Sequence, residues 1–297
     1  MSDAANAGAP KTVLLATDLS CRCDRALDRA IRLSERWDAR LVVAHVLAPA
    51  PERPDPVGRD VPAWYRTPDR VESARWRIGR DLGSELAHAE VRVEEGDPAE
   101  RLLAIAEQEA CDLIVTGVAR EAGLGRMLIG TTINQLVRRS SVPVLVVKDR
   151  AASPYHHIAV ATNFSDASRH ALETTAAFFP TADIVLLHGY DLPYGGLHDK
   201  TDVSRRMREM EDEQGADFLA SVPIDDALRK RIRVLIEQGN PERLIWEYVS
   251  NKGADLTVIG SHGRGALFDI LIGSMTKRLL ESAAGDLLVV IQPPAEE

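Results

Sequence analysis

The chain has 297 residues, 45% of them hydrophobic, and a formal net charge of −9, enough for two domains of ordinary size with buried cores. The acidic balance disfavours non-specific nucleic-acid binding, and no apolar run approaches the roughly 20 residues that a membrane span needs. Three cysteines, an odd count in a long chain, point to a reducing cytoplasm and away from a disulfide framework.

Residues 1–10 are small and polar. They lack the charged region and apolar core of a signal peptide and read as a mobile lead-in. Thr12-Val-Leu-Leu-Ala16 is a short apolar run ended by Thr17-Asp18-Leu19-Ser20. Ser20 is placed to cap a helix in which Leu27, Ala30, Ile31, Ser34 and Trp37 follow helical spacing. Leu41 to Val46 reads as the next strand, and the proline-rich, charged stretch Pro49 to Pro68 as a long loop. A helix is expected from Asp69 to about His88, and a strand over Val91–Glu94. Pro98 opens a helix, where its missing N–H costs nothing. The strand Leu113–Thr116, a loop, a helix from Thr131 and the strand Val144–Val147 complete the first half.

The second half repeats this order. His157-Ile-Ala-Val-Ala161 ends in Thr162-Asn163-Phe164-Ser165, and Ser165 caps a helix to about Phe179. Ile184–His188 is a strand, Tyr190–Lys200 a loop, Arg205–Glu213 a charged helix, and Ile232–Ile236 a strand. Pro241 opens a helix, Leu256–Ile259 is a buried strand, and Leu287–Ile291 is the last. Asp18 and Asn163 are 145 positions apart; Gly117 and Gly260, and Gly130 and Gly273, are each 143 apart. Anchors that keep their order and spacing mark an internal duplication, with domains at 11–150 and 155–297. Strands alternating with helices imply a parallel sheet covered on both faces.

The chemistry-bearing stretch runs from Gly260 to Ser274: Gly260-Ser-His262-Gly263-Arg264, then Gly273-Ser274. It follows a strand and precedes a helix. Two glycines let the backbone turn and approach a ligand closely. Gly273-Ser274 sit at a helix start, where free N–H groups and the helix dipole favour an anion. Gly-x-x-Gly, nine residues, Gly-Ser resembles the nucleotide-binding motif of the universal stress protein family. The resemblance implies an α/β fold of two tandem five-stranded parallel-sheet domains, Rossmann-like and of universal stress protein type, packed as an internal pseudo-dimer. It also implies that the last strands of the two halves pair, and, in one branch of the family, that ATP is bound.

In an open parallel sheet the ligand lies outside the carboxyl ends of the strands. Thr162, Asn163, His188, Gly239, Gly260, His262, Gly263, Arg264, Gly273 and Ser274 converge there in the second half. His188, like its counterpart His45, reads as structural and not as a metal ligand. His262 and Arg264 are candidates for phosphate contact, with a plain loop role as the alternative. The first half has diverged. Arg120 stands where the motif has its second glycine, and Glu121 after it repels phosphate, so the loop reads as degenerate. Conversely, the first half keeps Asp18, which the resemblance places by the adenine or ribose, where the second half has Asn163. Cys21 and Cys23 lie at a predicted helix start, which lowers a thiol pKa, without a second ligand pair for zinc.

No convergent acid pair, catalytic triad, metal site or P-loop is present. The reading is a cytoplasmic, ATP-binding stress-response regulator and not an enzyme, with nucleotide, with or without Mg, held mainly in the second domain. Slow ATP hydrolysis and a nucleotide-free interaction module are the alternatives. Expected partners are an adenine nucleotide and a further protein, with a homodimer left open, and neither nucleic acid nor membrane.

Overall fold

In the computed structural model the described residues are 8–49, 69–118, 120–122, 126–128, 130–190, 205, 209–262, 274–282 and 284–292. The expected loops Pro49–Pro68 and Tyr190–Lys200 fall almost wholly outside them. Short β-branched and leucine runs form the strands, and the central ones are buried at every position, as strands covered by helices on both faces must be. The first half runs β1 (Thr12–Ala16), α1 (Asp24–Trp37), β2 (Arg40–Leu47), α2 (Arg70–Leu82), β3 (Ala89–Glu95), α3 (Pro98–Gln108), β4 (Leu113–Gly117), β5 (Arg120–Ala122), β6 (Arg126–Leu128), α4 (Thr131–Arg139) and β7 (Val144–Val147). The second runs β8 (His157–Ala161), α5 (Asp166–Phe178), β9 (Asp183–Tyr190), α6 (Ala216–Ser221), α7 (Asp226–Arg229), β10 (Arg233–Gln238), α8 (Pro241–Lys252), β11 (Leu256–His262), α9 (Ser274–Ser282) and β12 (Asp286–Gln292).

Among the described residues, each half contributes five parallel strands to one ten-stranded sheet, ordered β10-β9-β8-β11-β12-β7-β4-β1-β2-β3. The halves join through an antiparallel pair in which Val144, Leu145 and Val146 face Val289, Leu288 and Leu287. The last strands therefore pair as expected. One side of the sheet packs α1 and α5 around Trp37, Tyr155, Phe178 and Phe179. The other packs α3, α4, α8 and α9 around Ile105, Leu136, Ile245 and Leu279. No helix of the described residues is long and apolar enough to cross a membrane.

Several local expectations change. Ser20 does not cap: a 3-10 turn, Cys21–Cys23, intervenes before α1, and the Ser20 hydroxyl makes no capping bond. Ser165 does cap, accepting from Ser168 N. The helix expected from Asp69 to His88 stops at Leu82 and continues as a 3-10 turn, Gly83–His88. In the stretch read as a charged helix in the second half, a π-turn, Glu211–Gly215, leads into α6. The strand expected to end at Ile259 runs on through His262. The stretch read as a degenerate loop in the first half carries a two-stranded hairpin, β5 with β6. Of the segment read as a mobile lead-in, Pro10 is buried. Gly8 also lies so close to α5 that a Cβ there would sit 2.8 Å from that of Ala177.

The buried face of α1 is Ala26, Arg29, Ala30, Leu33, Ser34 and Trp37, rotated from the predicted stripe because α1 also packs on the second half. Trp37 Nε1 donates to Phe178 O at 3.1 Å, and Arg29 Nη1 donates to Ser153 O at 2.8 Å. The Arg29 guanidinium lies 4.0 Å from the Tyr155 ring centroid and 3.5 Å from Asp286 Oδ2. Asp286 is wholly buried. It accepts from Lys148 N, Asp149 N and the Tyr155 hydroxyl. A buried carboxylate is tolerable only when paired and hydrogen-bonded, and here the partners come from both halves.

Candidate functional site

The site is built first from the four residues that end β8. Thr162 Oγ1 accepts from Phe164 N at 2.9 Å, and Asn163 Oδ1 accepts from Ser165 N at 3.2 Å. These are consecutive side-chain turns of the kind that Thr and Asx residues favour. They hold Phe164 at φ 61, in the left-handed region, where a bulky residue is an outlier. The first half does the same. Thr17 Oγ1 accepts from Leu19 N, Asp18 Oδ1 accepts from Ser20 N, and Leu19 has φ 58. The paired strings Thr-Asp-Leu-Ser and Thr-Asn-Phe-Ser were the signal for this geometry, which sequence reasoning missed.

The two halves then differ in what they offer a ligand. Asn163 is exposed. Its Oδ1 also accepts from Ser168 Oγ at 2.9 Å, which fixes the amide's orientation, and its Nδ2 has no partner among the described residues. Asp18 accepts from Cys23 Sγ at 3.2 Å and pairs with Arg22 at 3.1 Å. Against the upward push of burial, hydrogen bonds from Ser20, Cys23 and Arg22 hold its carboxyl at about 2. The second half therefore presents a free donor where the first presents an engaged carboxylate. Cys23 shows the opposite of a helix-start thiol: burial pushes it up to about 11, so it is not a reactive nucleophile.

Thr162 is buried. Its N donates to Leu187 O, and its carbonyl meets His188 Nδ1 at 2.8 Å. A carbonyl only accepts, so Nδ1 carries the proton, and Nε2 of the neutral ring is an acceptor. His45 makes the same bond to Thr17 O at 2.8 Å. The histidine therefore ties β9 to the end of β8 in the second half, and β2 to β1 in the first. His188 also faces Phe164, with ring centroids 4.9 Å apart.

Gly239 lies beyond β10 with φ 144, and Gly96 beyond β3 with φ 142. Their N–H groups donate to Tyr190 O and Leu47 O. Each is followed by an Asx cap and a proline at the helix start, Asn240-Pro241 and Asp97-Pro98. That conformation calls for glycine.

Gly260 has a packing reason to be glycine. A Cβ there would sit 2.2 Å from Ala167 O, in the first turn of α5. At Gly117 the same atom would sit 2.8 Å from Arg22 O. The last glycine of each strand lets a helix start pass over it.

His262 ends β11 and Ser274 opens α9; both are described through their backbone. Gly263, Arg264 and Gly273 lie outside the described residues. Along the carboxyl edge the sheet runs β10-β9-β8-β11. The edge therefore brings Gly239, His188, Thr162 with Asn163, and Gly260 with His262 into one row. The strand order reverses between β8 and β11, the switch point at which open α/β sheets bind ligands.

The sequence profile of the universal stress protein family matches residues 10–148 and again 154–290. A universal stress protein of Mycolicibacterium smegmatis is 27% identical over 312 residues, 94% of this chain and 96% of that protein. Universal stress protein Rv2005c of Mycobacterium tuberculosis is 25% identical over 302 residues, 91% of this chain and 92% of its own length. The crystal structure of a universal stress protein from Archaeoglobus fulgidus shares the fold. Its TM-score is 0.65 at 19% identity, and the match covers 95% of this chain and 99% of that one. With two family matches that together span nearly all of its length, the chain belongs to the universal stress protein family, as two tandem domains.

Proposed function

We propose that the chain binds ATP in its second domain and acts as a nucleotide-dependent stress regulator, held in the cytoplasm and working through a protein partner. One observation carries the reading: Gly260-x-x-Gly263, nine residues, Gly273-Ser274 joins a strand end at the switch point to the first residue of α9. Backbone N–H groups at such a helix start attract phosphate. The neighbouring donor set fits an adenine nucleotide. Asn163 Nδ2 is free to donate and His188 Nε2 to accept, and both can meet the polar edge of a base or ribose. Thr162 and Gly239 hold the loops that carry them. ATP, with or without Mg, supplies phosphates for the Gly263–Ser274 stretch, and His262 and Arg264 are the side chains nearest to it in sequence.

The first domain is read as the weaker site, since Arg120 and Glu121 replace the second glycine of the motif and its neighbour. The chain is also read as a binder and not a turnover enzyme. Steady-state phosphate release from Mg-ATP should fall far below the usual enzyme range of about 1–10³ per second.

The deciding experiment is stoichiometry. Protein saturated with ATP is denatured and the released nucleotide quantified. One adenine nucleotide per chain is expected, and none in Gly263→Val. A ratio near two, or a Gly263→Val protein that keeps one equivalent, would overturn the ranking of the two domains.

A further inference from the structure

The helix that opens at the phosphate loop is not held by its own domain alone. Lys148 follows β7 in the first domain and is 2% exposed. Its Nζ donates to Leu280 O, in the last turn of α9, at 3.0 Å. A cation at a helix C-terminus is favoured by the helix dipole, and the charge strengthens its bond to the carbonyl. The lysine is itself fixed on two further sides. Its N donates to Asp286 Oδ1 at 2.7 Å, and its carbonyl accepts from Arg25 Nη1 of α1 at 2.5 Å.

Two other features of the first domain reach the same helix. The hairpin strand β6 lies against α9. Leu279 and Leu280 are fully buried in the cluster that also takes in Ile133, Leu136 and Val137 of α4. Within its own domain α9 is tied by Arg278 to Glu242 of α8. A nine-residue helix is about 13 Å long and moves as a rigid rod. What fixes its C-terminal end therefore fixes its first N–H groups.

We propose that Lys148 is a positioning residue through which the first domain sets the phosphate affinity of the second, by anchoring the C-terminal end of α9. The inference rests on the reading of the Gly260–Ser274 stretch as an ATP site. It gives the degenerate first domain a role: it is a built-in partner that holds the cradle helix in register. The duplication makes the arrangement one-sided. In the copies, Lys148 corresponds to Ile291 and Asp286 to Pro143, so the second domain cannot return the same hold to α4.

The test separates the phosphate end of the ligand from the base end. Affinities for ATP and for adenosine are measured on the full chain for the parent, Lys148→Met and Lys148→Gln, with circular dichroism and thermal midpoints beside them. Lys148→Met keeps the buried stem without the charge, so the chain should stay folded; Lys148→Gln keeps a neutral donor and covers the case in which it does not. The expected result is a loss of about tenfold in ATP affinity for Lys148→Met, a smaller loss for Lys148→Gln, and unchanged adenosine affinity, as fits one displaced charge-assisted contact. An unchanged ATP-to-adenosine ratio in a folded variant overturns the inference alone. So does an equal loss for both ligands, which marks Lys148 as merely structural. A parent chain that binds adenosine and ATP equally, or neither, overturns the reading of the phosphate site itself, and the inference with it.

Discussion

Gly260→Ala separates packing from ligand chemistry at the start of the motif. An ideal Cβ on Gly260 would lie 2.2 Å from Ala167 O, 2.5 Å from Ala167 C and 3.1 Å from Ser168 N. All three are backbone atoms in the first turn of α5, so no side chain can swing aside. An ordinary carbon–oxygen contact is more than 3 Å, so α5 or β11 must shift by about 1 Å, and forced overpacking of this kind costs roughly 1–3 kcal/mol. The clash is with backbone, which places the expected loss at the upper end, about 3 kcal/mol. Two glycines serve as internal standards. Gly117→Ala meets Arg22 O at 2.8 Å and should cost less. Gly253→Ala meets nothing within 4 Å but has φ +68, so only backbone strain of about 1–2 kcal/mol applies. The assay is denaturant unfolding without nucleotide, followed by circular dichroism. A Gly260→Ala chain within about 0.5 kcal/mol of the parent, the scatter of ordinary surface changes, would refute the packing argument. It would leave the proposed phosphate site as the sole reason for Gly260 being glycine.

Burial pushes the Lys148 ammonium down to about 8 from 10.5, against the pull of Asp286 and Asp149. Between those values the unfolded chain holds the extra proton, so stability rises with pH and the cost is complete below pH 8. From about pH 7 to 10.5 the stability difference between the parent and Lys148→Met should move by about 3 kcal/mol in the parent's favour. Burial also raises Cys23 and Cys111 to about 11; both proteins share this opposing loss above pH 9, which cancels in the difference. Tyr155→Phe removes a donor from the wholly buried Asp286 and should lower stability by about 1–3 kcal/mol in the same unfolding assay. The Asp18 carboxyl is depressed to about 2, so its contribution is present above the ordinary 3.8 and lost as pH falls toward 2. Because its side chain is half exposed the effect is small, and it should disappear in Asp18→Asn when acid unfolding midpoints are compared.

Much of this architecture was legible because its physics is local. Parallel strands buried on both faces must be continuous apolar runs, so Thr12–Ala16 and Val144–Val147 announce themselves. Asp97-Pro98 and Asn240-Pro241 carry the cap and first residue of a helix in consecutive letters. Of the candidate site, glycine spacing marked the Gly260–Ser274 stretch, most of which lies outside the described residues. What stayed hidden is non-local. Arg29, Lys148 and Asp286 are charged and read as surface residues. They are buried because the partners of Asp286 lie 137 and 138 positions away. Gly260 reads as a ligand-facing glycine because no local pattern shows that the start of α5 passes over it. The β5–β6 hairpin was missed because three-residue strands carry no periodicity to detect.

The duplication supplies its own control for assigning function. Four features occur in both halves: the nested turns at Thr17–Ser20 and Thr162–Ser165, the His45 and His188 bonds to a threonine carbonyl, the positive-φ glycines 96 and 239, and the crowded glycines 117 and 260. A feature kept by a half that has lost the glycine motif is explained by the fold, whatever it also does for a ligand. That reasoning moves Thr162, Gly239 and Gly260 toward scaffolding. It leaves the differences to carry specificity: Asn163 for Asp18, Ser168 for Cys23, Gly263 and Arg264 for Arg120 and Glu121, and the one-sided hold of Lys148 on α9. Asn163 and Ser168 change together, and they are bonded to each other as Asp18 and Cys23 are. The exchange therefore converts a carboxylate held by a thiol and Arg22 into an amide held by a hydroxyl, with Nδ2 released. An amide with a free Nδ2 can donate to the polar edge of a base or ribose, and a carboxylate can only accept. So the substitution that looks like the loss of a family residue in the second domain leaves a donor free there, which fits the nucleotide proposed for it.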